Sequence, residues 1–567
     1  MLISYEEGII NINNFECIEI NGYKYYYSGI IWMRGKKAGK ETVEHLSKIY
    51  EVQNKIPFIE IFGSFCLVIL HPNGRIVLFT DNSNMRTFYI GKKLIGTNYL
   101  EVIKEKTKVD FNLDALCEFF TLGDTYFGKT LLNDIRLTES TKYYICDDGG
   151  LLIKDKGIGD IDEDTSIKDV NEFFKEMAYS LSDLKVTMSL TGGYDSRLIF
   201  ACINDYLTVK PFISGDNEKH KDIIYSQKVA EAVGRKIEIL RIKKPEISDD
   251  FILSLFYFSQ GIVPFLKDGF VRMNSFIIDR SNKGYECYIT GDGGDVHKDW
   301  DWTLDLPFYN RKSTNIPRYY DHRIQNTSNV IPFGDSLESL HKQLREKMIN
   351  EFSKFSKAIN TQSYDSFGFN IYGDENKIDY GTLSDIIPSY APLWELELVR
   401  YSYHLPRRKR FFNFSMREIT TKASKKIARV PTFYGTTASS ETPYLIRDTF
   451  MQIVEYFKRA CRMLGRKFLN KNLFVENKET WSIENDLRKL SITTEAIEYC
   501  IEKGFIKKGT LQEDLSFELL GRIIHVYLLA IYIEDNLLFK GPKRKYKLSR
   551  MNKLNENSKP YEISYKK

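Results

Sequence analysis

The sequence predicts an α/β protein with a layered amino-terminal domain, a second domain built on a doubly wound parallel sheet, and a helical extension. Short β-like runs joined by turns fill the first part of the chain. A strand, a glycine-rich loop and an apolar helix then follow one another from residue 186, and helical periodicity dominates beyond residue 436. These patterns divide the 567 residues into three segments, which are 1–155, 166–435 and 436–567.

The first segment has the pattern of an α/β/β/α sandwich. Apolar runs at residues 23–27, 65–70 and 75–80 predict strands, and Pro72, Asn73 and Gly74 predict a turn between two of them. The polar stretch at 154–165, KDKGIGDIDEDT, predicts the linker to the second domain.

A helix and a strand are expected directly after this linker. Ser166 and Asp169 are candidate helix caps. The apolar residues that follow recur every three or four positions, at Ile167, Val170, Phe174, Met177, Leu181 and Leu184. Val186, Met188 and Leu190 then alternate as a short buried strand would.

Residues 189–197, SLTGGYDSR, form the most informative stretch of the chain, here called the phosphate loop. Gly192 and Gly193 let the backbone approach an anion, and the free amides at a helix start favour negative charge. Thr191 and Ser196 add hydroxyl donors. Asp195 would repel a bare phosphate, so it indicates a bridging divalent cation such as magnesium. The loop therefore predicts an ATP site; the alternative is an ordinary Gly-Gly turn whose aspartate caps a helix.

A second loop of the same character supports the site. Residues 291–295 read GDGGD, here called the GDGGD loop, and follow a strand-like run that ends at Thr290. The carboxyl ends of strands in an open α/β sheet converge on one crevice, so both loops can meet over one ligand. Asp195 and Asp295 then become a candidate cation pair. The alternative is a surface turn rich in glycine and aspartate.

Composition argues against several other classes of protein. The 81 Lys and Arg residues against 76 Asp and Glu give a net charge of +5, too small for a nucleic-acid-binding surface, and the basic run at 543–547 is expected to be a solvated tail. Eight cysteines without a CxxC pair indicate neither zinc nor disulfides, which predicts a cytoplasmic protein. No signal peptide and no apolar run of about 20 residues is evident. The eight histidines show no metal-binding spacing, and only His297 lies near a predicted site residue, two positions after Asp295.

Taken together, these motifs resemble the class B asparagine synthetase family, whose synthetase domain carries SGGxDS and, further on, GEGxDE; its relatives include β-lactam synthetases and lasso-peptide cyclases. The resemblance covers most of residues 40–435. Besides the two loops, it is carried by residues 42–65, 81–89, 130–144, 209–234, 392–406 and 416–418.

The resemblance implies an Ntn-hydrolase-like glutaminase domain followed by a PP-loop ATP pyrophosphatase domain. It implies ATP and Mg²⁺ as cofactors, with Asp195 and Asp295 as metal ligands and Asp292 and Arg417 as catalytic residues. The nucleotide-binding residues that it implies are Leu190, Thr191, Gly192, Gly193, Asp195, Ser196, Ser214, Gly215, Gly291 and Gly293.

Four departures from the family pattern bear on function. Residue 2 is Leu2 where glutamine-hydrolysing members have their nucleophilic cysteine, so we expect a degenerate amidotransferase domain. Asp292 takes the place of a catalytic glutamate, and Val296 that of a later glutamate. Pro431 stands where the family has a lysine that neutralises the leaving pyrophosphate. The nearby candidates to replace that lysine are Lys409, Lys422, Lys425 and Lys426.

The expected function is an ATP-dependent ligase that adenylates a small-molecule or peptide carboxylate and forms an amide with ammonia or an amine. The aromatic segment at 300–328 is a candidate acceptor pocket, although such segments also serve packing. The sequence leaves two kinds of partner open, a second copy of the chain and an enzyme that delivers ammonia. No binding to nucleic acid or to a membrane is expected. One alternative is a non-catalytic ATP-binding scaffold. Another is RNA base modification, which the absent basic face and cysteine pairs disfavour.

Overall fold

The computed structural model describes residues 1–5, 7–147, 150–215, 217–266, 268–298, 314–325, 331–355, 362–372, 381–469, 482–537 and 563–565. Its described residues form three sheets, of which one is mainly parallel, with helices packed against them. The α/β fold class predicted from the sequence is confirmed.

Two antiparallel sheets form the centre of the amino-terminal domain. The first has six strands in the order Gly150–Asp155, Lys142–Asp147, Ile76–Thr80, Ile61–Leu70, Tyr23–Met33 and Glu16–Ile20. The second has five strands in the order Gly8–Asn11, Leu2–Ser4, Leu94–Gly96, Tyr89–Ile90 and Arg136–Leu137.

Alternation along the strands produces the layers of this domain. Tyr26 and Val68 are buried with Ile95 between the two sheets, whereas Tyr25 points the other way, into the core that includes helix Lys40–Gln53. Two further helices pack on the outer side of the five-stranded sheet, Tyr99–Ile103 and Leu113–Leu122.

The second domain is built on a six-stranded sheet. Its order is Ser389–Tyr390, Cys287–Ile289, Val186–Ser189, Val209–Gly215, Glu238–Ile242 and Ile563–Tyr565. The first five strands are parallel, and the sixth pairs antiparallel with its neighbour. The chain order reverses between Val186–Ser189 and Cys287–Ile289, which makes their carboxyl ends the switch point where ligands bind in such sheets.

Helices cover this sheet and form most of the carboxyl-terminal segment. The first is Val170–Ser180, whose N-cap Asp169 accepts the Asn171 amide as the sequence predicts. The others of eight or more residues are Asp195–Ile203, Lys221–Glu231, Asp249–Phe258, Asp268–Asn282, Asp335–Lys354, Leu396–Tyr403, Phe414–Ala423, Thr442–Leu469, Ser491–Glu502 and Phe517–Leu537. Shorter ones are Ile316–Tyr319, Ser363–Phe367, Arg407–Arg410, Lys425–Arg429 and Glu484–Leu487.

The carboxyl-terminal segment differs from expectation in two ways. It contains a strand as well as helices, because Ile563–Tyr565 pairs with the sheet of the second domain. Helix Phe517–Leu537 also contacts both domains: Arg522 Nη1 donates to the Phe120 carbonyl at 2.8 Å, and the His525 ring lies 3.0 Å from the Gly261 carbonyl oxygen. This helix therefore joins the two domains rather than packing on the second alone.

Two sequence expectations fall largely or wholly outside the described residues. The basic run at 543–547 does so entirely. Of the aromatic segment, Trp302 and Tyr309 lie outside, while Tyr319 and Tyr320 are buried in a hydrophobic core. Those two tyrosines therefore serve packing. Within the described part of the chain, none of the helices combines the length and apolar character that crossing a bilayer requires.

Candidate functional site

The phosphate loop connects strand Val186–Ser189 to helix Asp195–Ile203 and is held by its own polar groups. The Leu190 amide donates to the Phe212 carbonyl at 2.8 Å, which extends the pairing of two parallel strands. The Thr191 amide donates to Ser196 Oγ at 3.0 Å, and the two hydroxyls lie 2.9 Å apart. The residues expected to contact phosphate thus form a compact turn at the switch point.

Asp222 supports this loop from the neighbouring strand–helix unit. Its Oδ1 accepts the Gly192 amide at 2.5 Å, and burial raises the pKa of its carboxyl group. It lies in the first turn of helix Lys221–Glu231. Nothing in the local sequence around Asp222 indicates this contact with Gly192, which depends on the pairing of two strands. Ser214 and Gly215 end the adjoining strand at the same edge of the sheet.

The GDGGD loop lies directly against the phosphate loop. A Cβ added to Gly291 would lie 2.6 Å from the Ser196 nitrogen, and one added to Gly294 would lie 2.1 Å from Asp195 Cγ. Both distances are far inside van der Waals contact. Glycine at these two positions is therefore what lets the loops meet.

The carboxylates of Asp195 and Asp295 share one cation. Lys298 Nζ lies 2.7 Å from Asp195 Oδ2 and 3.3 Å from Asp295 Oδ1. The other oxygen, Asp195 Oδ1, is buried and has no hydrogen-bond partner. Burial raises the pKa of Asp195, Lys298 opposes that rise and Asp295 adds to it. Burial lowers the pKa of Lys298, but the two carboxylates more than offset this and hold it above its ordinary value.

Asp292 lies between these carboxylates and an indole. Trp394 Nε1 donates to its Oδ2 at 2.7 Å. Burial raises the pKa of Asp292 to about 6; this hydrogen bond opposes the rise, and the nearby Asp295 and Asp195 add to it. Gly293 has a φ of 83° and faces the same indole, since a Cβ there would lie 2.9 Å from the Trp394 ring. The GDGGD loop thus fits tightly around Trp394.

Arg417 lies behind the phosphate loop rather than beside the carboxylates. It is 1% exposed, and its guanidinium donates to Asp448 Oδ2 at 2.9 Å, to the Ser439 carbonyl at 3.2 Å and to the Tyr194 hydroxyl at 2.8 Å. Tyr194 belongs to the phosphate loop, so Arg417 contacts that loop through the Tyr194 hydroxyl. Its predicted catalytic role stays a prediction.

Residues 431–433, where the family pattern has its lysine, pack on the phosphate loop but place no charged side chain there. Arg197 Nη2 donates to the carbonyls of Pro431 at 3.0 Å and Gly192 at 3.2 Å, and the Phe433 amide donates to Gly192 at 3.2 Å.

The four replacement lysines proposed from the sequence have other surroundings. Lys409 pairs with Glu418 at 2.6 Å, and Lys422 pairs with Asp169 at 2.6 Å. Lys425 and Lys426 are exposed. Among the described residues, Lys298 is the lysine that contacts both loops, and the sequence did not point to it.

The donor set fits a magnesium ion that arrives with nucleotide. The described residues include no group of three or more His, Cys, Asp or Glu that could hold a metal ion by themselves. Mg²⁺ is commonly bound by one or two carboxylates plus substrate phosphates. Asp195 and Asp295 supply two carboxylates, and the unpartnered Asp195 Oδ1 is a ready ligand atom.

Sheet order and paired loops define the class: an α/β domain of the PP-loop type, with its site at the switch point of a parallel sheet. Residues 177–368 match the family model described as asparagine synthase, and the chain contains a domain of that family. The match supports an ATP-using, amide-forming ligase at the level of the family. No curated protein matches the chain.

Proposed function

We propose that this protein is an asparagine synthetase-like ligase that adenylates a carboxylate substrate with ATP and joins it to ammonia or an amine. The observation that carries the proposal is the direct contact between the phosphate loop and the GDGGD loop, seen at Gly294 against Asp195. This contact brings three carboxylates and the start of helix Asp195–Ile203 to one place.

The residues have distinct roles in this proposal. Thr191, Gly193 and Ser196 bind phosphate oxygens through amides and hydroxyls. The nucleotide pocket is shaped by Leu190 and Gly192 of the phosphate loop, by the strand end at Ser214 and Gly215, and by Gly291 and Gly293 of the GDGGD loop. Asp195 and Asp295 hold magnesium, which supplies neutralisation of phosphate charge when bound.

The reaction has two steps. A carboxylate oxygen of the substrate attacks the α-phosphorus of ATP, which forms an acyl-adenylate and breaks the bond to pyrophosphate. The nitrogen of ammonia or an amine then attacks the acyl carbon, forms the C–N bond and expels AMP, and the nitrogen loses a proton. Asp292 accepts that proton in this proposal, because its pKa of about 6 leaves it ionised yet basic near neutral pH.

The nitrogen comes from free ammonia, an amine substrate or a partner enzyme rather than from glutamine hydrolysed by this chain. Glutamine-hydrolysing members of the family use the thiol of an amino-terminal cysteine, and residue 2 of this chain is Leu2. Of the four cysteines in the amino-terminal domain, Cys66, Cys117 and Cys146 are buried, which raises the pKa of their thiols to about 12, and Cys17 is exposed on an edge strand.

Release of pyrophosphate tests the function directly. The protein is mixed with ATP, Mg²⁺, ammonium and a panel of amino-acid, peptide and natural-product carboxylates, and pyrophosphate and AMP are quantified. We expect equal amounts of both with the true acid. Asp195→Asn should abolish them, whereas Asp164→Asn, at an exposed linker residue, should not. If calorimetry detects no binding of adenine nucleotide to the wild-type protein, the proposal is contradicted.

A non-catalytic ATP-binding scaffold is the second candidate, and Pro431 favours it. Its carbonyl lies beside the phosphate loop, where the family's lysine would be, and its side chain carries no charge. Nucleotide binding without pyrophosphate release across the whole acid panel would favour this alternative.

A further inference from the structure

Lys298 is nearly enclosed between the two loops. Its side chain is 14% exposed, while that of Asp295 is 68% exposed. Its Nζ donates to Asp195 Oδ2 at 2.7 Å and to Asp295 Oδ1 at 3.3 Å. Enclosing an ammonium costs free energy unless it is paired, and here two carboxylates offset that cost.

Buried side chains hold the backbone at residues 296–298. Arg410, which is fully buried, donates to the carbonyls of Val296 at 2.9 Å and Lys298 at 2.6 Å. The ring of His297 is buried, with its Nε2 2.7 Å from the Leu393 carbonyl oxygen and its Nδ1 2.5 Å from the Ser402 hydroxyl. These contacts hold the turn from which the Lys298 side chain extends.

Two arginines close to the phosphate loop have partners other than Asp195 and Asp295. The guanidinium of Arg197 donates to the carbonyls of Gly192 and Pro431, and that of Arg417 pairs with Asp448. Among the described residues, Lys298 is the basic side chain that contacts both predicted metal ligands. A site that carries three carboxylates and must accept a polyphosphate needs such a positive charge.

We propose that Lys298 binds the leaving pyrophosphate and neutralises its charge, in place of the lysine that the family has where this chain has Pro431. This assignment rests on the proposed ligase function. In the free protein, Asp195 and Asp295 hold Nζ in place. With magnesium held by these carboxylates, the flexible four-carbon stem of Lys298 would let Nζ reach phosphate oxygens instead. A positive charge placed there stabilises the charge that develops on the leaving group.

Calorimetric binding of inorganic pyrophosphate in the presence of Mg²⁺ tests the assignment. Lys298→Met removes the charge and keeps most of the stem, Lys298→Arg keeps the charge, and Lys425→Met removes an exposed lysine from a neighbouring helix. We expect Lys298→Met to weaken binding about 10- to 100-fold, as for a lost hydrogen bond to a charged group. Lys298→Arg should recover part of the affinity and Lys425→Met should match the wild type.

The outcomes separate this assignment from the function on which it rests. If the wild type binds pyrophosphate and folded Lys298→Met binds it equally well, the role of Lys298 is rejected and the ligase proposal stands. If the wild type binds neither ATP nor pyrophosphate with Mg²⁺, both are rejected.

A measurement on the wild type covers the case in which Lys298→Met does not fold. Acetylation of individual lysines by acetic anhydride is followed by mass spectrometry, with Mg²⁺ alone and with Mg²⁺ plus pyrophosphate. Pyrophosphate should slow acetylation of Lys298 severalfold and leave Lys425 unchanged. Equal rates at Lys298 under both conditions would overturn the assignment.

Discussion

At the level of single residues, Gly294 sets how closely the two loops approach. Because a Cβ at Gly294 would lie 2.1 Å from Asp195 Cγ, Gly294→Ala must push the loops apart. We expect it to lower the free energy of unfolding by about 1–3 kcal/mol, as overpacking does, and to weaken ATP binding. Urea denaturation and calorimetry measure the two effects.

Gly193→Ala is the matched control in the same site. The nearest atom to an added Cβ is Thr191 Oγ1 at 3.4 Å, which is ordinary contact, so the free energy of unfolding should change by less than about 0.5 kcal/mol. Equal stability of Gly294→Ala and the wild type would show that the loops do not make the close contact described.

Residue patterns predicted the glycines and aspartates of the site but not the lysine between them. Gly192, Gly193 and Asp195 follow a strand in sequence, so local pattern reveals them. Lys298 is separated from Asp195 by 103 positions, and a lysine three residues after an aspartate is common on any surface turn. Only the parallel pairing of strands Val186–Ser189 and Cys287–Ile289 brings the two together.

At the level of elements, Glu395 is buried where the two domains meet. Its Oε1 accepts the Gly63 amide at 2.7 Å and the Tyr390 hydroxyl at 2.7 Å. Burial raises the pKa of Glu395 to about 8 from an ordinary 4.5. The native state therefore keeps this proton between pH 4.5 and 8 while the unfolded chain releases it, so stability falls as pH rises through that window.

Replacement of Glu395 by glutamine should remove this loss of stability at higher pH. Glu395→Gln keeps an acceptor oxygen for Gly63 and Tyr390 without a charge, so we expect it to be more stable than the wild type by about 1–4 kcal/mol at pH 8 and by much less at pH 5. Thermal denaturation across this range measures the difference. Glu60→Gln, at an exposed position, should leave the pH profile unchanged. A constant difference between Glu395→Gln and the wild type would contradict the assigned pKa.

The ion pair of Arg417 with Asp448 joins helix Phe414–Ala423 to helix Thr442–Leu469 and is fully buried. Asp448→Leu leaves the guanidinium of Arg417 without its anion, which should cost about 3–5 kcal/mol of unfolding free energy. The double variant Arg417→Met/Asp448→Leu should recover much of that loss. Chemical denaturation measures all three proteins.

The same set separates a structural from a catalytic role of Arg417. A folded double variant that keeps pyrophosphate release shows that Arg417 acts only by supporting Tyr194, whereas a folded double variant without it supports the catalytic prediction. The solvent-facing pair of Arg429 with Glu441 is the control, because Glu441→Gln should leave the free energy of unfolding almost unchanged.

Elements with strong periodicity were predictable, and those defined by distant pairing were not. Helix Val170–Ser180 and strand Val186–Ser189 follow from the spacing of apolar residues and the Asp169 cap. Strand Ile563–Tyr565 has three residues and exists only through its pairing with Glu238–Ile242, more than 300 positions earlier, so its local sequence shows no strand pattern.

At the level of the whole molecule, the amino-terminal and second domains share their cores. Trp32 Nε1 donates to the Tyr390 hydroxyl at 3.2 Å, and Arg86 pairs with Asp385 at 2.8 Å across the same boundary. The two largest hydrophobic clusters each contain residues of both domains. The sequence predicted separate domains with a polar linker, because a contact between segments so distant in the chain has no local signal.

This shared core predicts that the two domains unfold together. The full chain should show one calorimetric transition, because exposing either domain uncovers apolar surface of the other and unpairs the buried Arg86. Hydrogen exchange should give strands Ile61–Leu70 and Val186–Ser189, one from each domain, the same opening free energy. Arg522→Met removes the hydrogen bond from helix Phe517–Leu537 to Phe120 and should lower the single melting temperature without splitting it. Two separate transitions in the wild type, or strands that open with clearly different free energies, would mean that the amino-terminal domain is only loosely attached to the domain that carries the site.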